Sequence, residues 1–515
     1  MKNRFLLCCV LAFFSANCVF TQTKTGSWGD QGNGTFINPV LNADYSDPDV
    51  IRVGEKYYMV CSEFHFMGIP VLESDDMVNW RIIAQVYSRF DRPQYDNFEG
   101  YGRGSWAPAL RYHDGKFWLF FCTPNDGLFM SNATKPEGPW SPLVCLYDGG
   151  GWEDPCPFWD NDGKAYLGHS RVGAGPIIIH RMQPDGTRLL DDGVTVYTGP
   201  VAEGTKFLKR DGYYYLSIPE GGVETGWQTI LRSKNIFGPY EKKVVFERGS
   251  TAVNGPHQGS LVDTPEGEWW FYHFQSSGAM GRVVHLQPVR WLNGWPEMGV
   301  DIDRNGIGEP VYVWKKPIQD KPITAPQTDD NFNGAALGLQ WQFNHNPDNS
   351  LWSLSNGVLH LKAAKAESLT KARNTLTQKL MGTSGTVTVT LNFSRIADGQ
   401  KAGLACMSDI YSLVGVSREN GKNCVYYEDN AKNTVKQDIK GKKIYLRIRL
   451  DLPDRNRCYY SLDNKKYLPL GEPFKAQFGF WKGARIALFS YNTSIDSGEA
   501  LFDDFVYDYD GPKGL

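Results

Sequence analysis

The sequence lacks three features that would each have pointed to a particular class of protein. It contains no Cys-x-x-Cys pair, and removal of Cys8, Cys9 and Cys18 from its ten cysteines leaves an odd number. Neither a disulfide framework nor a zinc site is therefore expected. Its net charge is only −3 over 515 residues, which argues against a nucleic-acid partner. No apolar run is long enough to cross a bilayer, so no membrane span is expected.

The N-terminus has the pattern of a secretory signal peptide. Lys2 and Arg4 form a charged region, and the apolar stretch Phe5–Phe14 follows it. Small side chains near residue 21 suit a cleavage site, so residues 1–21 are predicted to be a signal peptide. The mature protein is then expected in the periplasm, or on the outer surface if Cys18 carries a lipid.

Helical periodicity is scarce between residues 30 and about 320, and short hairpin patterns recur instead. Each is a turn followed by an aromatic strand. The five patterns are Gly54–Tyr58, Asp114–Trp118, Asp162–Tyr166, Asp211–Tyr215 and Glu266–Trp270. Repeats of roughly 45–60 residues match a four-stranded propeller blade. The pattern predicts an all-β chain with a five-bladed β-propeller over residues 30–320; the alternative is an irregular β-sandwich.

A different type of β structure is predicted beyond a proline-containing linker. Pro317, Pro322 and Pro326 lie in this linker among few apolar residues. Later segments alternate cleanly between apolar and polar residues, as strands with one solvated face do. Residues 328–515 are therefore predicted to form a second domain, a β-sandwich of jelly-roll or lectin-like type.

The turns of the five hairpin patterns also predict a common site. Counting back 7, 9, 9, 9 and 10 residues from their glycines reaches Asp47, Trp106, Asp154, Glu203 and His257. A stacked repeat brings equivalent positions around one axis. The spacing therefore predicts that these five side chains point into one central funnel.

Three carboxyl groups in one funnel indicate glycosidic bond cleavage. Inversion needs one protonated carboxyl group and one ionised carboxylate on opposite faces of the sugar ring. A third carboxyl group can position the donor and raise its pKa. Asp47, Asp154 and Glu203 are therefore the predicted catalytic residues, in preference to three neighbouring acids: Asp44, Asp49 and Glu153.

Several other residues are candidates for binding a sugar. Trp106 and the segment Phe64-His65-Phe66 could form an aromatic wall, or they could simply pack in the core. His257 could contact a ligand, support a water or a cation, or be structural. Arg282 could bind sugar hydroxyls, hold a carboxylate, or pair with a surface acid.

Five segments of the first domain carry a resemblance to glycoside hydrolase family 43. They are "INPVLNADYSDPDVIRVGEKYYM", "WAPALRYHDGKFWLFF", "EDPCPFWDNDGKAYL", "AEGTKFLKRDGYYYLSIPEGG" and "GRVVHLQPVRWLNGWP". The segment "LGLQWQFNHNPDNSLWSL" resembles the sandwich appended to the xylosidase and arabinofuranosidase branches. The resemblance implies an inverting mechanism on a five-bladed propeller. It implies Asp47 as general base, Glu203 as general acid and Asp154 as the residue that orients the acid and raises its pKa, with Arg282 and His257 near the sugar.

The sequence departs from the family pattern at two places where the family grips its substrate. His65 stands where many β-xylosidases of the family have Trp, and Thr205-Lys206 stands where Pro-His is more usual. These changes favour an exo-acting α-L-arabinofuranosidase on arabinoxylan, xyloglucan or arabinan side chains. The alternatives are a β-D-xylosidase or a dual activity, an endo-arabinanase, and a carbohydrate-binding propeller without catalysis.

The proposed chemistry requires no cofactor, but a structural calcium ion is conceivable. Acidic pairs lie at the two ends of the second domain, and such ends often meet in a sandwich. Oxygen ligands from Asp329-Asp330 and Asp503-Asp504, chiefly Asp330 and Asp504, could then hold Ca²⁺. The alternative is that these acids occupy solvated turns.

Overall fold

A computed structural model describes residues 25–65, 67–96, 100–430 and 433–513. The predicted signal peptide and Cys18 lie outside these residues, as does Phe66. The described part of the chain contains β-strands and three short 3-10 helices, and it contains no α-helix. Those 3-10 helices are Pro93–Asp96, Gly278–Met280 and Leu369–Lys371. Within the same ranges, no helix is long and apolar enough to span a membrane.

The first part of the chain forms five four-stranded antiparallel sheets and one small sheet. The small sheet begins with β1 (Gly29–Asp30) and β2 (Thr35–Ile37). The first large sheet contains β3 (Asp49–Val53), β4 (Lys56–Val60), β5 (Pro70–Ser74) and β6 (Trp80–Gln85). The second contains β7 (Trp106–His113), β8 (Lys116–Thr123), β9 (Gly127–Ala133) and β10 (Val144–Asp148).

The remaining sheets of this part repeat the same meander. The third contains β11 (Trp152–Trp159), β12 (Ala165–Arg171), β13 (Ile177–Met182) and β14 (Val194–Tyr197). The fourth contains β15 (Lys206–Arg210), β16 (Tyr213–Glu220), β17 (Trp227–Ser233) and β18 (Glu241–Phe246). The fifth contains β19 (Leu261–Asp263), β20 (Trp269–Ser276), β21 (Arg282–Leu292) and β22 (Trp295–Met298). Finally, β23 (Val313–Lys315) pairs with β2 and completes the small sheet.

Local turn chemistry explains two of the hairpins that open the large sheets. In β7–β8 the turn is Asp114-Gly115, with φ of 48° and 72°, and in β15–β16 it is Asp211-Gly212, with φ of 50° and 77°. A two-residue turn with both φ positive matches the twist of antiparallel strands, and Asp-Gly adopts it readily. The five hairpins predicted from the sequence are confirmed.

The C-terminal part is the predicted β-sandwich. One sheet contains β24 (Gln342–Phe343), β27 (Ala364–Lys365), β28 (Leu376–Lys379), β30 (Gln400–Met407), β31 (Tyr411–Glu419), β32 (Lys422–Asp429), β33 (Asn433–Asp438) and β37 (Arg485–Asn492). The other contains β25 (Trp352–Ser355), β26 (Val358–Lys362), β29 (Ser384–Asn392), β34 (Lys443–Asp451), β35 (Arg457–Ser461), β36 (Leu468–Pro469) and β38 (Glu499–Tyr509). In β34, Ile444, Leu446 and Ile448 are buried and alternate with more exposed residues, as the sequence pattern predicted. The domain limits of 30–320 and 328–515 themselves stay predictions.

A buried ion-pair cluster joins the sandwich to the segment that follows β4 of the first sheet. The guanidinium of Arg485 lies 2.5 Å from one carboxylate oxygen of Glu63, and Nζ of Lys379 lies 2.7 Å from the other. Arg485 also donates to the side chain of Gln342. Glu63 directly precedes Phe64, so the sandwich supports the segment that follows β4.

Candidate active site

A cavity of about 460 Å³ brings together the three carboxyl groups predicted from the sequence. Asp47, Asp154 and Glu203 all line it. Two predicted sugar-binding aromatic residues, Phe64 and Trp106, line it as well. The cavity is within the size range of small-ligand sites.

The backbone places the lining residues by one repeated arrangement. Near the start of the first strand of each large sheet stands a residue with positive φ. They are Asp47, Ala107, Asp154, Gly204 and Gln258, with φ of 53°, 34°, 55°, 62° and 51°. Positive φ is costly for residues other than glycine, and such strain tends to accumulate at functional sites.

The pairing of backbone strands shows which residues of the five sheets are equivalent, and it corrects the prediction made by counting back from the turn glycines. In each large sheet, one residue near the start of the first strand pairs with the equivalent residue near the end of the second strand. These residues are Ser46, Trp106, Glu153, Glu203 and His257. Asp47 and Asp154 stand one residue further along. The count was wrong by one residue at these two sites because the glycine does not stand at the same place in every turn: Gly54 is the first residue of a two-residue turn, and Gly163 is the fourth of five.

Asp47 is buried, and each of its two carboxylate oxygens accepts a hydrogen bond. The hydroxyl of Ser62 donates to Oδ2 over 2.5 Å, and Nη1 of Arg282 donates to Oδ1 over 2.9 Å. The Ser62 hydroxyl in turn accepts the backbone N–H of Ala107 over 2.7 Å. Charge-assisted bonds of this kind suit an ionised carboxylate.

Asp154 links the other two carboxyl groups. Its Oδ2 accepts the backbone N–H of Gly204 over 2.7 Å, so it fixes the peptide next to Glu203. Burial raises the pKa of Asp154, and the negative charge of Asp47 raises it further. Its position therefore suits a residue that orients the carboxyl group of Glu203.

Glu203 has the environment of a proton donor. Burial raises the pKa of its carboxyl group, and the negative charge of Asp154 raises it further, although Arg282 opposes this shift. Among the described residues, no N–H or O–H group donates a hydrogen bond to this carboxyl group. A protonated Glu203 can therefore direct its O–H into the cavity.

An aromatic wall surrounds the guanidinium of Arg282. Phe64 and Trp106 pack edge to face, with ring centroids 5.9 Å apart. The guanidinium carbon of Arg282 lies 5.4 Å from the ring centroid of Phe64 and 5.6 Å from that of Trp481. Trp481 belongs to the sandwich and lines the cavity. Sequence reasoning missed it, because nothing in the local pattern places a loop of the second domain over the first.

The structure does not bring the two predicted histidines to the cavity wall. His65 is buried, accepts the N–H of Gly102 at Nδ1 over 2.9 Å, and packs on Tyr101. His257 is buried too, and its Nδ1 donates to the carbonyl of Gly255 over 2.6 Å. Burial lowers the pKa of His257 to about 4, so its ring is neutral at neutral pH. Its neighbour Gln258 lines the cavity instead.

Two of the three neighbouring acids serve structural contacts, and the third lines the cavity. Asp49 pairs with Arg111 over 2.7 Å. Asp44 accepts the backbone N–H of Arg282 over 2.9 Å. By contrast, Glu153 lines the cavity.

The acidic pairs considered for calcium do lie close together, and the carboxylate of Asp330 already accepts two hydrogen bonds. Asp330 pairs with the strand at Phe505, which follows Asp503-Asp504. The Asp330 carboxylate accepts the backbone N–H of Phe332 and the indole N–H of Trp341. Within the described ranges, no group of three or more His, Cys, Asp or Glu side chains is arranged to hold a metal ion. Calcium binding at these residues therefore stays a prediction.

Comparison with known families agrees with both parts of this architecture. A family model described as "Glycosyl hydrolases family 43" matches residues 36–296. A second, described as "Beta xylosidase C-terminal Concanavalin A-like domain", matches residues 329–508. Both ranges fall within the two predicted domains.

The sequence is similar to several named proteins over most of its length. It is 52% identical to a Xylanibacter ruminicola protein provisionally named a beta-xylosidase, over 91% of this chain and 88% of that protein. It is 39% identical to a "Beta-xylosidase" of Formosa agariphila, over 96% of this chain and 93% of the relative. It is 30% identical to a "Non-reducing end alpha-L-arabinofuranosidase BoGH43B" of Bacteroides ovatus, over 78% of this chain and 79% of the relative.

Solved structures show the same architecture. The crystal structure of the GH43 BlXynB protein from Bacillus licheniformis superposes with a TM-score of 0.82 at 27% identity, over 92% of this chain and 99% of that chain. A bifunctional GH43-CE protein of Bacteroides eggerthii superposes with a TM-score of 0.82 at 32% identity, over 92% of this chain. The match spans 63% of that longer protein.

Proposed function

The chain belongs to glycosyl hydrolase family 43, and we propose that it is an exo-acting, inverting β-D-xylosidase that releases terminal xylose from xylan-derived oligosaccharides. One observation carries the proposal. The three predicted catalytic carboxyl groups share one cavity, and among the described residues a cation pairs with Asp47 alone of the three, whereas burial and a neighbouring charge keep Glu203 protonated. That is the pairing of base and acid that inversion requires.

Each carboxyl group has one role in the proposed reaction. Asp47 accepts a proton from the water that attacks the anomeric carbon. Glu203 gives its proton to the oxygen of the glycosidic bond as that bond breaks. Asp154 positions Glu203 through Gly204 and raises its pKa. The chemistry needs only side chains and water, and a cofactor has no role in it.

The sequence-based preference for arabinofuranose is not supported by the positions of His65 and Lys206, two of the three residues on which it rested. His65 is buried and packs against Tyr101. Lys206 is buried with Nζ 3.5 Å from Asp49, and it lines a different cavity. Neither residue lines the cavity that holds the three carboxyl groups. The relatives named beta-xylosidase favour xylose, and arabinofuranosidase activity is the second candidate because of the Bacteroides ovatus relative.

Three further parts of the proposal concern architecture and location. The five large sheets are the blades of a five-bladed propeller with the cavity at its mouth. Trp481 closes one side of that mouth, which favours exo cleavage over endo cleavage. Residues 1–21 direct export of the enzyme, so its plant-derived substrate reaches it in the periplasm or on the outer surface.

Aryl glycosides and proton NMR would test this function. Wild type is expected to hydrolyse aryl β-D-xylosides faster than aryl α-L-arabinofuranosides, with α-xylose as the first-formed anomer. Glu203→Gln is expected to lose about 100-fold or more in kcat on xylobiose, because the leaving sugar needs protonation. No turnover of either aryl glycoside by wild type, or an unchanged Glu203→Gln variant, would contradict the proposal. Product analysis on xylan and linear arabinan separates exo from endo cleavage.

A further inference from the structure

Glu153 occupies the position in the third sheet that Glu203 occupies in the fourth. Glu153 pairs across its hairpin with Ser170, as Glu203 pairs with Pro219. Each is followed by a residue with positive φ, and both line the cavity. The fold therefore presents a fourth carboxyl group to the cavity beside the three that the reaction uses.

The contacts of Glu153 differ from those of the structural acids in this protein. Asp49, Glu63 and Glu220 are buried, and each pairs with a cation. Glu153 is 4% exposed, and among the described residues no cation lies within ion-pair distance of it. A buried carboxyl group without a cation is costly unless it is neutral or serves a ligand.

A strained loop holds Glu153 at the cavity wall. Its Oε1 accepts the backbone N–H of Ala174 over 2.9 Å. Ala174 has a φ of 66°, and Val201, which also lines the cavity, has a φ of 54°. Positive φ is unusual for alanine and costly for a β-branched residue. Strain of this kind, next to two carboxyl groups, indicates a wall shaped for a ligand.

The charges around Glu153 place it on the side of the general acid. Burial raises the pKa of Glu153, and the neighbouring carboxyl groups of Asp154 and Glu203 raise it further, so the group keeps its proton at neutral pH and can donate a hydrogen bond. Asp47 and Arg282 form the base side of the cavity. In an inverting site the acid and the base act on opposite faces of the sugar.

We propose that Glu153 donates a hydrogen bond to a hydroxyl group of the sugar on the leaving-group side of the cavity, which makes it a specificity residue for disaccharide and longer substrates. This inference rests on the proposed function, because the acid side is defined by Glu203. An aryl leaving group has no such hydroxyl, so the two kinds of substrate separate the role of Glu153 from that of the catalytic carboxyl groups.

The test compares xylobiose with an aryl β-D-xyloside in wild type, Glu153→Ala and Glu153→Gln. Glu153→Ala is expected to lower the ratio of kcat/KM for xylobiose to that for the aryl xyloside about tenfold, mainly through KM, as loss of one hydrogen bond does. Glu153→Gln is expected to keep this ratio within about threefold, because its amide still donates. Glu153→Met fills the same space without a donor and replaces Glu153→Ala if that variant does not fold.

A binding measurement supplies a readout that does not depend on turnover. Xylobiose binding by calorimetry is expected to weaken about tenfold when Glu153→Ala is added to Glu203→Gln. An unchanged substrate ratio together with unchanged binding would overturn the role of Glu153. A wild type that hydrolyses neither xyloside would instead contradict the proposed function, so the two failures can be told apart.

Discussion

The backbone N–H of Gly204 donates to Oδ2 of Asp154 over 2.7 Å, and this bond joins two sheets at the point where Glu203 enters the cavity. The bond fixes the peptide that carries the proposed acid, while the charge of Asp154 acts on the pKa of that acid. Position and pKa of Glu203 therefore depend on one neighbouring side chain.

Replacement of Asp154 by Asn is expected to move the alkaline limb of the pH profile to lower pH. Asp154 raises the pKa of Glu203 by its negative charge, so removal of that charge lowers this pKa, and the acid loses its proton at lower pH. A shift of roughly one pH unit is expected in kcat/KM for an aryl β-D-xyloside. Asp160→Asn, at a carboxylate that pairs with Lys209 away from the cavity, is the control and should leave the limb in place. An unshifted limb in Asp154→Asn would contradict this assignment.

Replacement of Ser62 by Ala is expected to lower kcat about tenfold with little change in KM. The Ser62 hydroxyl holds Asp47 and accepts the N–H of Ala107, so its loss leaves the proposed base less well oriented. The unpaired N–H should also lower the free energy of unfolding by about 1–3 kcal/mol. Steady-state kinetics and urea denaturation measure the two effects. Ser131→Ala, at a hydroxyl bonded to Ser141 in another sheet, should lose stability without the loss of kcat.

Replacement of Trp481 by Ala is expected to raise KM for xylobiose about tenfold and to leave the fold intact. Trp481 is 46% exposed, so its removal costs little core packing, but it forms part of the cavity wall near Arg282. Loss of one aromatic contact of this kind is worth about a factor of ten. Trp314→Ala, at a partly exposed tryptophan of the small sheet, is the matched control. Equal KM values in both variants would show that Trp481 does not contribute to binding.

Replacement of Glu63 by Gln is expected to lower the free energy of unfolding by about 3–5 kcal/mol. The substitution removes the partner of Arg485 and of Lys379 and leaves both cations buried. Chemical denaturation followed by tryptophan fluorescence measures the loss. Glu241→Gln, which breaks an exposed pair with Arg232, is expected to cost less than about 1 kcal/mol. A loss in Glu63→Gln no larger than in that control would show that the cluster does not hold the two parts together.

Local sequence determined the hairpins of this protein and the identity of its three carboxyl groups. An Asp-Gly turn forms from its own backbone preferences, so Asp114-Gly115 and Asp211-Gly212 could be located without any tertiary information. The order of Asp47, Asp154 and Glu203 along a repeated pattern was enough to predict that they share one cavity.

Tertiary structure decided which neighbours line that cavity. The first turn of the third sheet has five residues where that of the fourth sheet has two, so Glu153 rather than Asp154 is the counterpart of Glu203. His65 packs against Tyr101 and Lys206 lies near Asp49, so neither side chain lines the cavity, although both occupy positions where the family pattern contacts substrate. Trp481 reaches the site from another domain, far along the chain. Side-chain direction and contacts between distant segments depend on how the sheets pack, and a local sequence pattern does not determine that packing.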